Sequence, residues 1–294
     1  MRWEETQLKL LRFSIHGETH LGMKLPDGVL DLTAAGYGKD LAATIRGFAA
    51  AKEVLESLSK KPGLPLLNEK SLSYLAPASD TSKLLCVGLN YKLHIEEAHN
   101  NITAAEYPKE PVLFSKFNNA LNIHNGTVNL SPNAHNYDYE AELVIVMGKG
   151  GMDIPKEKAA EYIFGYTCGN DISARDAQNK SAQWLIGKSF PGFAPVGPWI
   201  VTADELDPMR LAISCSRDGQ LVQDSNTEHM IFDVYTIVSY ASKYIGLEPG
   251  DLIFTGTPNG VIVGMEPARQ NWLKAGDEVT VAIEHIGELT TRFA

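Results

Sequence analysis

The stretch DYEAELVIVMGKGG, residues 138–151, decides how this chain is read. It begins polar and alternating, runs through Leu143-Val144-Ile145-Val146-Met147, and stops at glycine. A short apolar run of this kind, rich in β-branched residues and closed by Gly, reads as a buried strand. Residues i and i+2 of a strand share a side, so Glu140 and Glu142 project together and Ala141 faces the other way. Two carboxylates about 4 Å apart repel by roughly 4 kcal/mol at an effective dielectric near 20. A water-facing edge strand tolerates that. A buried strand needs a proton, a basic neighbour or a hard cation.

Outward from this strand the chain stays strand-rich. KLLCVGL, PVLFSKF, IFGYTCGND, PWIVTA, LAISCSRDG, DLIFTGT and EVTVAIEHIGELTTRFA all carry the pattern, against fewer helical pieces in PKEKAAEYI, DAQNKSAQWLIG and DVYTIVSYASKYIG. Regular strand–helix alternation is absent, which argues against a doubly wound sheet and predicts a β-rich α+β fold. Residues 1–78 have another texture: short strands around Gly and Asp-Gly turns, then a helical KDLAATIRGFAAAKEVLESLSKK ended by KPGLPL. The expected division is a small N-terminal domain, 1–78, and a larger domain, 79–294.

Several side chains join the carboxylate pair as candidates. Asp171 follows the strand IFGYTCGN, where loops present ligands, and would complete an oxygen triad suited to Mg²⁺ or Mn²⁺. His94 and Glu97 are three apart, neighbours on one helix face, so the carboxylate can orient the imidazole as a general base. A solvated amphipathic helix explains the same spacing. Lys188 ends a helical stretch and can meet a substrate carboxylate or a developing enolate oxygen, although its default is the surface. Gly256 and Thr257, after a strand, offer N–H groups and a hydroxyl to an anion or form a plain turn. Arg175 and Gln178, three apart, can share the face of Asp171 or stand exposed at the surface. His124 and His135 lie in polar loops and receive no role.

Bulk properties exclude other classes. A net charge of −10 with no run of Lys and Arg argues against nucleic-acid binding. No apolar run is long enough to span a membrane, and the N-terminal MRWEETQLKL has no apolar signal core. Cys86, Cys168 and Cys215 are scattered, without a CxxC, which fits a reducing compartment and buried thiols. The expectation is a cytoplasmic protein with neither nucleic-acid nor membrane partners.

Seven blocks in order, CVGLNYKLHIEE, KEPVLFSKF, DYEAELVIVMGKG, GYTCGNDISARDAQ, GKSFPGFAPVGPWIVT, NTEHMIFDV and LEPGDLIFTGTPNGV, closely resemble the fumarylacetoacetate hydrolase family. The resemblance runs from about residue 80 to the end. It implies a mixed β-sandwich roll, a homodimer, and Mg²⁺ or Mn²⁺ held by Glu140, Glu142 and Asp171. It also implies that His94 and Glu97 form the water-activating dyad of hydrolytic members, with Lys188 as the active-site lysine. Arg175 and Gln178 match the family's active-site Arg and Gln, and Thr257 the threonine that helps hold a substrate carboxylate. Pro191 stands where many members have Asp, and Lys92-Leu93 replaces the usual Arg-Asp, both departures bearing on substrate identity. The implied reaction is metal-dependent C–C hydrolysis of an acylpyruvate or related 1,3-dicarbonyl acid. The alternative is decarboxylation of a 2-keto acid of the oxaloacetate type, or a coupled isomerase and decarboxylase of an aromatic catabolic pathway.

Overall fold

The apolar run forms the strand Ala141–Met147, with every residue buried. It pairs antiparallel with Ile163–Asn170 on one side and with Leu252–Phe254 on the other. A strand flanked on both edges and covered on both faces has no water-facing side, hence the unbroken apolar run Leu143–Met147, and it takes Glu142 into the buried sheet. The computed structural model describes residues 8–77, 83–98 and 107–294.

The sheet around this strand has twelve strands. Beyond Leu252–Phe254 lie Leu84–Gly88, in parallel, and then Val112–Lys116, antiparallel. In the other direction come Ala194–Thr202, Lys9–Ile15, Glu18–Leu25, Gly28–Asp31 and Leu66–Leu67. The N-terminal hairpins thus extend the same sheet, joined through Lys9 opposite Val201 and Leu10 opposite Ile200. The division expected near residue 78 falls in 78–82, outside the described residues.

A second sheet of five strands runs Gln220–Asn226, Ala212–Arg217, Glu278–Ile283, Gly287–Phe293, Gly126–Val128. In Glu278–Ile283 burial alternates, with Val279, Val281 and Ile283 inward. Ala212–Arg217 and Glu278–Ile283 pack on Ala141–Met147 and Ile163–Asn170 of the first sheet. Each inward Val or Ile contributes about 1.5–3 kcal/mol by leaving water. The result is the mixed, strand-rich α+β sandwich expected from the sequence.

Some helical expectations need correction. DAQNKSAQWLIG forms two four-residue helices, Arg175–Gln178 and Leu185–Lys188, rather than one. Between them the Ser181 hydroxyl accepts from Gln183 N–H at 3.2 Å and donates to Gln183 C=O at 3.0 Å, a local alternative to helical bonding. PKEKAAEYI tightens to a 3₁₀ segment, Lys156–Tyr162, in which only Ala159 is buried and little packing supports α turns. In the N-terminal region Gly47 splits the expected helix into Leu41–Arg46 and Phe48–Ser59. Val234–Ser242 matches expectation: Asp233 caps it, accepting from Thr236 N–H at 2.7 Å, and Val234, Ile237, Val238 and Ala241 face inward.

Candidate active site

Strand register assembles the acidic triad. Ala141 stands opposite Asn170, so Glu140 and Asp171 meet one step beyond the paired residues. The Asn170 side chain accepts from Glu140 N–H at 3.0 Å, and Asp171 N–H donates to Glu140 C=O at 2.9 Å. Glu142 lies opposite Gly169 on the same strand pair. One oxygen from each of Glu140, Glu142 and Asp171 lies within 4.8 Å of the other two, and all three residues are buried.

Burial of three carboxylates has to be offset, and cations surround two of them. Lys188 Nζ donates to Glu140 Oε2 at 2.7 Å and to Asp171 Oδ2 at 2.8 Å. Lys116 Nζ donates to Asp171 Oδ1 and, at 3.0 Å, to the Ile172 carbonyl. Arg175 brings Nη2 to 2.6 Å from Glu140 Oε1, a charge contact. Burial opposes ionisation of Glu140, yet Lys188 and Arg175 outweigh it and hold its carboxyl well below the usual range. Burial likewise disfavours the Lys188 ammonium, but Asp171 and Glu140 prevail and push its pKa up.

Glu142 is different. Among the described residues it has no ion-pair partner, and the one donor to it is Gly256 N–H, at 2.7 Å to Oε2. Burial, then Asp171 and Glu140, push its carboxyl well above the ordinary value. A buried oxygen cluster with one carboxylate lacking a counter-charge fits a hard divalent cation. Glu140, Glu142 and Asp171 would hold it, the donor set Mg²⁺ and Mn²⁺ prefer.

The expected substrate and proton-transfer residues converge here. A cavity of ≈ 220 Å³ is lined by His94, Glu140, Glu142, Arg175, Gln178, Lys188 and Thr257, with Val87, Leu89, Phe114, Trp184 and Val263 as apolar walls. His94 is buried on the helix Lys92–Ala98, its Nδ1 3.1 Å from Glu97 Oε1. Glu97 stands behind the imidazole rather than in the wall, and Gly260 N–H donates to both its oxygens at 3.0 and 2.9 Å. With Nδ1 engaged, Nε2 is the nitrogen left for a ligand.

Gln178 accepts from Arg175 Nη1 at 3.1 Å. Thr257 Oγ1 accepts from Gln223 Nε2 at 2.9 Å. Gly256 behaves differently from the expected cradle, because the anion on its N–H is Glu142 of the same chain. Its φ of +96° and the 2.7 Å that would separate a Cβ from Asn90 Cβ explain the glycine there. Gly187 has another role: a Cβ would stand 2.5 Å from Gln178 N, so its absence lets the two short helices touch and aims Lys188 inward. The two departures point elsewhere. Pro191 is exposed, as are Lys92 and Leu93, and none of them lines the cavity.

Sequence reasoning missed four members of this constellation. Lys116 sits inside the apolar PVLFSKF, and a lysine within a strand of that kind was the signal. Asp138, Asn170 and Gln223 act through backbone bonds to Ile262, Glu140 and Ala141, which no local pattern announces.

Comparison with known proteins places this geometry. Residues 83–294 match the fumarylacetoacetate (FAA) hydrolase C-terminal family. The chain is 37% identical over 278 residues to the mitochondrial oxaloacetate tautomerase of Xenopus laevis, spanning 92% of this chain and 84% of that protein. The solved fumarylacetoacetate hydrolase of the psychrophile Exiguobacterium antarcticum superposes with a TM-score of 0.83 at 34% identity, over 97% of this chain and 99% of that one. The 5-carboxymethyl-2-hydroxymuconate delta-isomerase of Mycobacterium smegmatis does so with a TM-score of 0.75 at 31% identity, over 98% of each chain.

Proposed function

The chain belongs to the fumarylacetoacetate hydrolase family, and on that premise we propose that it is a divalent-metal-dependent enzyme that moves a proton on a small 2-keto dicarboxylic acid, interconverting its keto and enol forms. The observation that carries this reading is the His94–Glu97 pair facing the buried triad across one cavity. A keto diacid brings oxygens that Arg175, Gln178, Lys188 and Thr257 in the wall can meet. The resemblance to a tautomerase named for oxaloacetate supports the same substrate class.

A divalent cation at the triad supplies Lewis-acid polarisation of the keto oxygen and positive charge for the adjoining carboxylate. The chain's own groups do the rest. Arg175, Gln178 and Thr257 line the wall where substrate oxygens are held. His94 Nε2 takes a proton from the carbon beside the keto group, and the electron pair moves onto the keto oxygen. Lys188, kept protonated by Asp171 and Glu140, stabilises that oxygen's negative charge. The proton returns to oxygen, giving the enol, or to carbon, restoring the keto form. Glu97 holds the imidazole and balances the imidazolium while it carries the proton.

The same dyad supports a second reading, hydrolysis of an acylpyruvate. There His94 would activate water to add to the distal carbonyl, the C–C bond would break, and its electron pair would leave as the pyruvate enolate. Decarboxylation differs in needing no water and releasing CO₂. Incubation with oxaloacetate and short acylpyruvates, with Mg²⁺ and with Mn²⁺, separates the three by enol absorbance, carboxylic acid and CO₂. The expected result is accelerated enol–keto exchange of oxaloacetate, abolished in His94→Ala at unchanged metal content. Acid release from acylpyruvates without such exchange would favour hydrolysis. Three free, buried cysteines support a reducing compartment. The homodimer implied by the family is tested by sedimentation equilibrium.

A further inference from the structure

Asp138 opens the acidic stretch, yet it is neither in the triad nor in the cavity wall. It is 0% exposed, and four donors answer its charge. Oδ2 accepts from Arg175 Nε at 2.9 Å and Val263 N–H at 3.1 Å. Oδ1 accepts from Ile262 N–H at 2.8 Å and Tyr139 N–H at 3.0 Å. The next residue adds a third grip on the same segment: Tyr139 OH donates to Gly260 C=O at 3.0 Å. Residues 138–139 therefore clamp segment 260–263 at Gly260, Ile262 and Val263.

That segment has its own charge to hold, since Gly260 N–H is bonded to both oxygens of Glu97, which bonds His94. Through its other arm Asp138 binds Arg175, whose Nη2 touches Glu140 of the triad. One buried carboxylate is thus the common reference for two groups that have to work at a set distance. On one side is the nitrogen that moves the proton, and on the other are the carboxylates that would hold the metal. Neutral bonds could close a surface turn, but charge-assisted ones are roughly twice as strong and fix the segment more tightly.

We infer that Asp138 is a positioning residue for the proton-transfer step: it locks segment 260–263 beneath Glu97 and so sets the place of His94 relative to the triad. This rests on the reading of His94 as the proton-moving group. Asp138→Asn is nearly isosteric, but its amide N–H₂ faces two of the four donors that Asp138 satisfies. Misplacement of a catalytic group by about 1 Å can cost on the order of 100-fold in rate, so kcat should fall about 10- to 100-fold with KM little changed.

The decisive experiment is a double-mutant cycle on kcat with Glu97→Gln, in the full-length Mn²⁺-loaded protein, with metal content and melting temperature recorded alongside. If Asp138 acts through Glu97, the double variant turns over about as slowly as the worse single variant. If Asp138 is merely part of the scaffold, the two losses multiply, and the inference is overturned. A rise in KM with kcat intact also overturns it, because Asp138 would then serve Arg175 alone. Should Asp138→Asn not fold, Tyr139→Phe removes the third grip more gently. The same cycle with Glu97→Gln then separates coupled from multiplying losses, with a smaller fall in kcat expected. Turnover that survives His94→Ala overturns this inference together with the reading beneath it, whereas loss of turnover there with multiplying Asp138 and Glu97 effects overturns this inference alone.

Discussion

Glu142→Gln gives opposite signs in the metal-free and metal-loaded protein, which makes it the most informative substitution. Glu142 is the triad member without a cation partner among the described residues, and its oxygen lies within 4.8 Å of one oxygen each of Glu140 and Asp171. At that separation a like-charge pair costs about 3.5 kcal/mol at an effective dielectric near 20. Lys188 beside Glu140 and Asp171 offsets part of this, and partial protonation of Glu142 offsets more. The net relief in the metal-free protein should therefore be about 1–3 kcal/mol. Glutamine keeps an oxygen for Gly256 N–H, so the amide loses charge without losing that bond. For a chain of this size 1 kcal/mol corresponds to roughly 2–4 °C, so Glu142→Gln should melt several degrees above the parent in EDTA. With Mn²⁺ at 100 times its Kd the parent should gain about 2.7 kcal/mol, and the variant should gain little. Differential scanning calorimetry with and without EDTA, with bound manganese measured by mass spectrometry, reads both effects. A variant that melts below the parent in EDTA, or keeps the full Mn²⁺ shift, refutes the reasoning.

Other substitutions probe the supports of the site. Lys188→Met removes the ammonium shared by buried Glu140 and Asp171 and should cost about 3–5 kcal/mol in EDTA. Urea unfolding should show that loss, partly restored by Mn²⁺, and turnover should disappear. Gly187→Ala forces a Cβ to 2.5 Å from Gln178 N. It should cost about 1–3 kcal/mol by overpacking and lower kcat by shifting Lys188, measured by urea melts beside steady-state kinetics. Asp233→Ala removes the cap on Val234–Ser242, for about 1 kcal/mol at neutral pH. Burial tends to raise the Asp233 carboxyl, but Lys156 and the Thr236 N–H and hydroxyl outweigh it and lower its pKa from the ordinary 3.8. A depressed carboxyl stabilises fully above that ordinary value and loses its contribution as pH falls through its folded pKa. Parent and variant should therefore converge in acid, and a gap that persists to the lowest pH where the parent folds would contradict this account.

Much of the site was legible because its signals are local. Period-two geometry placed Glu140 and Glu142 on one side, and the strand end singled out Asp171. Helical spacing paired His94 with Glu97, and the 3.1 Å contact between them shows that pairing in space. Lys116 could have been found, because a lysine in an apolar strand has to be answered by a buried anion. Asp138 and Gln223 could not. Their partners are 37, 124, 82 and 34 residues away, and each works by taking or giving a bond to a backbone or side chain that only folding brings near.

By itself the sequence determined the strand-rich class, the acidic strand and the chemical inventory of the site. Those depend on composition, on alternation and on the order of motifs along the chain. Tertiary structure alone decided how the charges are distributed. Antiparallel register set Asp171 against Glu140, and the contact at Gly187 turned Lys188 toward both. Glu142 was left with Gly256 N–H in place of a cation. The physical reason is that burial and pairing are properties of neighbours in space: the same glutamate is a solvated ornament on an edge strand and an uncompensated charge at the centre of a covered sheet.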